Sequence, residues 1–433
     1  MAQLIIGETT HQTVKIWIRG KGNQSTATIT LVTDGEVPKI LENIVLNIFE
    51  YNTAVITVKN LTQNKTYSCQ VIFNTGDIIN GEVRTFAVDE EEFTFLLASC
   101  HFSQGVDHNS PEYGHIYNIA KNTNSRFIMN CGDQMYIDTV ICPIWVMSKD
   151  QYAERYSETW SSAQLQKVFS HIPQFMILDD HEIYDDFSND NMTGKKLELL
   201  TWATNTYRIF QHSHNPDVYN AFYYSFDCAF TSFFVLDVRT ERNGAQMISG
   251  DQLNILKQWI DDPETSHRLK VIVSPVPFIT QLNEKIQKDK WSDYKFIHQR
   301  DAIIDAIFKS PCQKFLLLSG DIHLAVHSKI EKYAGTNNKV LHELISSPIK
   351  QVQANLLDHQ QRNFIEVNRE LYKYSVGNRM GNPAKEGMER IKLQNNIMQI
   401  TLSKNNIRYC VHSLVNGNPI ANFEDELSFV NQL

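Results

Sequence analysis

Alternating apolar and polar positions dominate the first 90 residues of the chain. VKIWIR (14–19) and TATITLV (26–32) alternate with period two, and the later segments AVITVKN and YSCQVIF have the same character. This alternation is typical of short strands with one buried face. We therefore predict an all-β unit over residues 1–90.

One segment of this unit carries a more specific signal. In LTQNKTYSCQV (61–71) a leucine and a turn precede Tyr-x-x-x-Val, which resembles the tyrosine corner of fibronectin-type and immunoglobulin-like sandwiches. The resemblance implies a β-sandwich at the N-terminus. Its role is left open between a recognition module and a structural lid or spacer.

The pattern changes at Phe93, after the acidic stretch Asp89–Glu92, which we interpret as a short linker. Short apolar runs now alternate with helix-like segments, examples of which are 197–210, 251–260 and 298–309. Such alternation predicts an α/β arrangement. The strand-like runs between 390 and 433 follow without a break, so we predict a second domain over 93–433 that includes these C-terminal strands.

Composition narrows the class of protein. The chain has 433 residues, 42% of them hydrophobic, and a net charge of -9, which argues against a stable nucleic-acid complex. No apolar run is long enough to span a membrane, and the N-terminus lacks the features of a secretory signal. The seven cysteines are an odd number at wide spacings, which favours reduced thiols. We expect a cytoplasmic protein, or an exported one if a leader has been removed; the sequence carries no signal of oligomeric state.

Five apolar runs are followed by residues that bind metals or phosphates. They lead, in order, to Cys100 and His101, to Asp133 and Tyr136, to Asp179, Asp180 and His181, to Asp237 and Arg239, and to Asp321 and His323. In α/β sheets ligands bind at the carboxyl ends of the strands. The third run opens FMILDDHEIYDDFSNDN (175–191), which holds six carboxylates. Clustered carboxylates need cations, so we predict a site for two or more metal ions bridged by a carboxylate.

The order of these motifs resembles a known family. Cys100 after a strand is followed by GDQMY (132–136), DDHE (179–182), LDVRTER (236–242), GDQLNILKQWI (250–260) and SGDIH (319–323). This series is similar to the PhoD-like alkaline phosphatases, a branch of the calcineurin-like metallophosphoesterases, and it extends over about residues 5 to 350. The resemblance implies a four-layer α/β/β/α sandwich preceded by the N-terminal β-sandwich.

The resemblance also implies a ligand set. Fe³⁺ would be bound by Cys100, Asp133, Tyr136 and His323. Ca²⁺ would share Asp133 as the bridge and add Asp180, Asp321 and a residue of the Asp185–Asp186 pair. Zinc, manganese and magnesium are the alternative metals. The family often has Asn-Asn where Asp185 and Asp186 stand, so this second site is expected to be more anionic.

Two further residues are predicted to act on the substrate. His181 would contact the phosphate or protonate the leaving oxygen, and the guanidinium of Arg239 suits a phosphate oxygen. The alternatives are a structural ion pair between Asp237 and Arg239 and, for Asp185 and Asp186, an ordinary solvated charge run.

We therefore expect an enzyme that hydrolyses phosphomonoesters, phosphodiesters or both by means of a metal-bridging hydroxide. One alternative is a dedicated phosphodiesterase acting on phospholipids, polymers or nucleic-acid ends. Another is a catalytically silent scaffold that binds metal for structural reasons. Substitution of Asp133 separates the enzymes from the scaffold, because a bridging ligand is required for turnover.

Overall fold

The computed structural model describes residues 1–102, 110–138, 146–282, 288–333, 338–351, 363–379 and 394–430. The strands are β1 (Gln3–Thr9), β2 (Val14–Arg19), β3 (Thr26–Val32), β4 (Lys39–Val45), β5 (Thr53–Val58), β6 (Thr66–Phe73), β7 (Ile78–Arg84), β8 (Glu92–Ala98), β9 (Ile128–Cys131), β10 (Gln174–Ile177), β11 (Tyr224–Cys228), β12 (Thr231–Val235), β13 (Leu269–Ser274), β14 (Phe315–Ser319), β15 (Val326–Lys332), β16 (Val340–Ile345), β17 (Phe364–Val367), β18 (Glu370–Arg379), β19 (Asn396–Ser403), β20 (Asn406–Ser413) and β21 (Pro419–Ser428). The α-helices are α1 (Pro111–Asn122), α2 (Lys149–Thr159), α3 (Ala163–His171), α4 (Lys195–Phe210), α5 (Gly250–Asp261) and α6 (Ile297–Lys309), with short 3₁₀ turns at Ile48–Glu50 and His212–His214.

The N-terminal strands form two sheets with the orders β1-β2-β5 and β4-β3-β6-β7. Alternate residues of β6 are buried, as the period-two sequence pattern predicts. The hydroxyl of Tyr67 accepts a hydrogen bond of 2.8 Å from the backbone N–H of Thr62. This bond confirms the predicted tyrosine corner.

Two larger sheets form the rest of the molecule, with the orders β10-β9-β8-β19-β20-β21 and β11-β12-β13-β14-β16-β15-β18-β17. Their inner faces pack through aromatic rings: the centroids of Phe95 and Phe233 are 5.8 Å apart, and Phe175 stacks on Phe226 at 4.0 Å. Helices α1 and α3 contribute to the core of the first sheet, and α5 and α6 to that of the second. The predicted four-layer α/β/β/α sandwich is therefore confirmed.

Strand direction explains why the polar motifs meet. Strands β8, β9 and β10 are parallel neighbours, as are β12, β13 and β14. Their carboxyl ends therefore lie at the same edge of each sheet. The C-terminal strands complete the first sheet, because β19 pairs with β8 at Met398 and Leu97.

The small three-stranded sheet packs on the α/β sandwich. Leu4 and Ile6 of β1 lie in the core of the N-terminal sandwich, whereas Ile5 between them lies in the large core. Trp17 of β2 pairs with Ile5 and follows it into the large core, where its Nε1 donates to the carbonyl oxygen of Ile209 at 2.8 Å. The division at residue 90 therefore crosses a shared core, and two domains remain our proposal.

Two observations bear on the chain as a whole. Within the described ranges no helix is long and apolar enough to cross a bilayer. The described cysteines, which are Cys69, Cys100, Cys131, Cys228, Cys312 and Cys410, are all free thiols. Cys142 lies outside the described residues.

Candidate metal centre

Three side chains converge where β8 and β9 end. The thiol of Cys100 lies 3.4 Å from Oδ2 of Asp133, and the hydroxyl of Tyr136 donates to the same oxygen at 3.0 Å. All three residues are buried. The other carboxylate oxygen of Asp133, Oδ1, is buried and has no hydrogen-bond partner. Because an unpaired buried oxygen is costly, this donor set fits a cation.

Burial suppresses ionisation in this group. It raises the pKa of the Cys100 thiol well above its ordinary value, and the neighbouring carboxylates of Asp133 and Asp321 raise it further. Burial likewise raises the pKa values of Asp133 and Tyr136. A bound cation would reverse this effect by favouring the anionic forms of its ligands.

A second group of ligand atoms adjoins the first at Asp133. One ligand atom each from Asp133, Asp180 and His181 lies within 4.8 Å of the others, and the same holds for Asp180, Asp185 and Asp186. The backbone N–H of Asp186 donates to Oδ2 of Asp180 at 2.7 Å, which holds the two parts together. Asp180 is buried, whereas Asp185 and Asp186 are exposed. The structure thus brings four of the predicted acidic ligands, Asp133, Asp180, Asp185 and Asp186, into one chain of contacts.

His181 is held on two sides. Its Nδ1 lies 2.9 Å from each carboxylate oxygen of Asp138, and its ring stacks on Tyr136 with 4.0 Å between centroids. Burial lowers the pKa of His181, but Asp133, Asp180 and Asp138 together raise it to about 11. Asp138 was not singled out from the sequence. Its position five residues after Asp133 was the available signal.

Arg239 lies behind the acidic group and is fully buried. Its guanidinium forms a short ion pair with Asp179, lies 2.9 Å from Asp289 and 3.7 Å from Asp180. Burial opposes ionisation of Asp180, but Arg239, His181 and Lys290 lower its pKa.

These contacts bear on the roles weighed for Arg239. Asp237 accepts from the backbone N–H groups of Arg239 and Thr240, at 3.0 and 2.9 Å, rather than from the guanidinium. The ion pairs of Arg239 are thus made with carboxylates at the site. Contact between Arg239 and a phosphate stays a prediction.

A second buried cation was missed by the sequence reasoning. Nζ of Lys290 lies 2.7 Å from Asp289 and 2.6 Å from Asp321. Burial raises the pKa of Asp321 to about 7, although Lys290 opposes the rise. Asp289 and Lys290 precede the buried Trp291, and a charged pair next to an apolar anchor was the only local signal for them.

The loop after β14 brings in the last two predicted ligands. Asp321 and His323 both have positive φ angles, of 72° and 51°. The backbone carbonyl of Asp321 lies 3.7 Å from the thiol of Cys100, and the backbone N–H of His323 donates to Oγ of Ser347 at 3.1 Å. The loop therefore packs directly against the end of β8.

Comparison with known proteins agrees with this architecture. The sequence matches the family described as PhoD-like phosphatase over residues 95–402. A structure titled as that of PhoD covers 99% of this chain and 90% of its own, with 15% identity and a TM-score of 0.73. Purple acid phosphatase PPD1 from yellow lupin (Lupinus luteus) seeds covers 98% of this chain and 74% of its own, with 8% identity and a TM-score of 0.63. No curated protein matched in sequence.

The fold and the site together define a metallophosphoesterase. Because the match extends over residues 95–402, the chain belongs to the PhoD-like phosphatase family, as the motif order predicted. It is a hydrolase of phosphate esters, and its acidic and histidine clusters are suited to metal binding.

Proposed function

We propose that the protein hydrolyses phosphomonoesters, phosphodiesters or both at a centre built around Asp133. One observation carries this proposal. The Cys100 thiol and the Tyr136 hydroxyl meet one oxygen of Asp133, and the same residue shares a ligand cluster with Asp180 and His181. A carboxylate placed between two ligand groups is the arrangement that bridges two metal ions.

The two groups divide the ligands by chemistry. Cys100, Tyr136 and His323 offer a thiolate, a phenolate and an imidazole, which suit a high-valent transition metal such as Fe³⁺. Asp180, Asp321, Asp185 and Asp186 offer oxygen atoms, which suit Ca²⁺, with zinc, manganese or magnesium as alternatives. Bound cations would lower the pKa of a coordinated water and neutralise charge that develops on the phosphoryl oxygens.

The surrounding side chains would position the substrate and the carboxylate ligands, and would protonate the leaving group. His181, oriented by Asp138 and stacked on Tyr136, would contact the phosphate or donate a proton to the leaving oxygen. Arg239 and Lys290 pair with Asp179, Asp180 and Asp321, so they would hold these carboxylates in their ionised, metal-binding forms.

The test compares turnover of p-nitrophenyl phosphate with that of bis(p-nitrophenyl) phosphate, in protein whose metal content has been measured by plasma mass spectrometry. Turnover of either ester that Asp133→Asn abolishes supports the proposal. Turnover of the diester alone favours the dedicated phosphodiesterase. A metal-loaded protein that hydrolyses neither ester would leave the silent scaffold as the better account.

A further inference from the structure

The carboxylate of Glu182 accepts four hydrogen bonds from N–H groups in the interior of the protein. Oε2 accepts from the backbone N–H of Asp133 at 3.0 Å and of Asp179 at 2.9 Å. Oε1 accepts from the backbone N–H of Gln134 at 2.5 Å and from the side chain of Gln211 at 3.1 Å. Glu182 is completely inaccessible to solvent. Three of its four bonds therefore end on the backbone of the loops that follow β9 and β10.

Those two loops touch each other and are conformationally demanding. Asp133 has a φ of 58° and Gly132 a φ of 91°, and both lie in the left-handed region that most residues avoid. A Cβ atom added to Gly132 would lie 2.4 Å from Cβ of Asp179. The loops are thus packed at contact distance, and a small change at their crossing would shift Asp133 relative to Asp180.

Only a carboxylate satisfies this arrangement. Each of the four partners is a donor, so both oxygens of Glu182 must accept. A glutamine of the same shape would direct its NH₂ group either at the backbone N–H of Gln134 or at those of Asp133 and Asp179, and would leave at least one backbone donor unpaired. Aspartate retains both acceptors but is one methylene shorter, so it cannot keep all four distances.

We infer that Glu182 is a positioning residue that fixes the bridging ligand Asp133 against the Asp180–His181 loop through backbone hydrogen bonds, and so sets the separation of the two metal sites. This inference rests on the proposed function, since it assigns Glu182 a role at that same centre. The four hydrogen bonds of Glu182 do not involve the side chain of any proposed metal ligand. Its effect passes through the peptide groups of Asp133, Gln134 and Asp179.

A purely structural role would give a different result, and Gln211 supplies the control. Its Nε2 donates to Oε1 of Glu182 at 3.1 Å and to the Tyr156 hydroxyl at 2.9 Å, and neither bond ends on the backbone of Asp133, Gln134 or Asp179. Gln211→Met therefore removes one hydrogen bond from the same buried carboxylate but leaves its three backbone hydrogen bonds in place. It should lower the melting temperature without loosening the metals.

The experiment uses protein purified with its metals and follows their loss to EDTA, together with kcat and KM for p-nitrophenyl phosphate. For Glu182→Gln we expect metal loss at least ~10-fold faster and a kcat at least ~10-fold lower, with KM nearly unchanged, because supporting residues of metal ligands have effects of this size. Gln211→Met should stay within about twofold of the unmodified protein in both quantities. Equal effects of the two substitutions, or unchanged metal retention in Glu182→Gln, would overturn the inference.

A second measurement needs no variant. Amide hydrogen exchange over residues 132–136 should stay slow after the metals are removed, because the Glu182 bonds do not depend on them. Fast exchange in the metal-free protein would contradict the assignment even if Glu182→Gln fails to fold. If the unmodified protein neither retains metal nor hydrolyses esters, the proposed function fails, while slow exchange of the Asp133 and Gln134 amides would still support the role of Glu182 in joining the two loops.

Discussion

Nδ1 of His181 lies 2.9 Å from both carboxylate oxygens of Asp138. Because Asp138 contacts Nδ1, the other ring nitrogen, Nε2, faces away from Asp138 and lies 3.8 Å from a carboxylate oxygen of Asp185. A carboxylate behind an imidazole fixes the orientation of the ring and stabilises its protonated form. This arrangement is the one that we propose for His181 as a general acid and Asp138 as its orienting partner.

The first prediction concerns this pair. Asp138→Asn should lower kcat by roughly 10²-fold for alkyl phosphates, because the imidazole would be misoriented and a smaller fraction of it would carry the proton to be donated. p-Nitrophenyl phosphate needs little protonation of its leaving group, so its kcat should fall much less. Steady-state kinetics on the two esters checks this. An equal decrease for both esters would show that Asp138 acts on something other than proton donation. Asp261→Asn, at an exposed carboxylate at the end of α5 with no proposed role at the site, is the control.

Removal of the thiol at Cys100 should release metal. The thiol meets Asp133 in a buried position, and serine offers a harder and less acidic ligand there. We expect Cys100→Ser to lower the metal content of the purified protein and to reduce kcat by more than ~10-fold. Elemental analysis of the purified variant measures its metal content and so checks this prediction. Cys131→Ser, in the same sheet but with no predicted ligand role, should retain its metals, and full occupancy in Cys100→Ser would remove Cys100 from the ligand set.

Substitution of Arg239 separates its two proposed roles. Arg239→Met would remove the ion-pair partner of the buried carboxylates of Asp179 and Asp180 and would leave Asp289 with Lys290 alone. Breaking a buried ion pair by removing one partner costs about 3–5 kcal/mol, so the free energy of unfolding in urea should fall by that order. Arg408, whose ion pair with Glu92 is largely exposed, is the comparison, and Arg408→Met should change stability by less than about 1 kcal/mol. An unchanged stability with a raised KM would instead indicate that Arg239 mainly binds phosphate.

Acid should destabilise the fold through His212. Burial lowers the pKa of His212 to about 4, and both ring nitrogens are buried without a hydrogen-bond partner. In the unfolded chain His212 binds a proton below about pH 6.5, whereas in the folded chain it binds one only below about pH 4. Stability is therefore complete above pH 6.5 and decreases as the pH falls towards 4, by up to about 3 kcal/mol.

Urea unfolding between pH 7 and pH 4.5 measures this loss. His212→Leu keeps the site apolar, next to Phe222, and should flatten the pH dependence by up to about 1.4 kcal/mol per pH unit. Stability at pH 7 should be retained or increased. An unaltered slope in this variant would show that other groups carry the acid sensitivity.

The shared core predicts how the N-terminal unit behaves. Trp17 lies among Trp160 and Phe210 of the large core, at ring distances of 6.1 and 5.7 Å. Trp17→Ala should lower the free energy of unfolding by about 3–5 kcal/mol, the usual cost of removing a large buried aromatic ring. Val55, the partner of Trp17 on β5, is partly exposed, so Val55→Ala should cost much less. Independent unfolding of two units, seen by calorimetry, would support the proposed division at residue 90 and weaken the shared-core interpretation.

The sequence alone determined the parts of this protein that depend on local patterns. Period-two alternation located β2, β3, β5 and β6, and helical periodicity located α4, α5 and α6 to within two residues. The apolar runs before Cys100, Asp133 and Asp180 identified the carboxyl ends of parallel strands, where polar side chains must gather whatever the details of packing. The motif order then identified the family.

The tertiary structure decided which side chains face one another. Asp138, Glu182, Asp289 and Lys290 contact loops that are distant from them in sequence, and no local periodicity marks such contacts. For the same reason the sequence could not show that Arg239 lies among three carboxylates, and its contact with a phosphate stays a prediction. Residue types reveal which chemistry a chain can perform, but burial and loop crossing determine which charges are paired, because both depend on the whole packed structure.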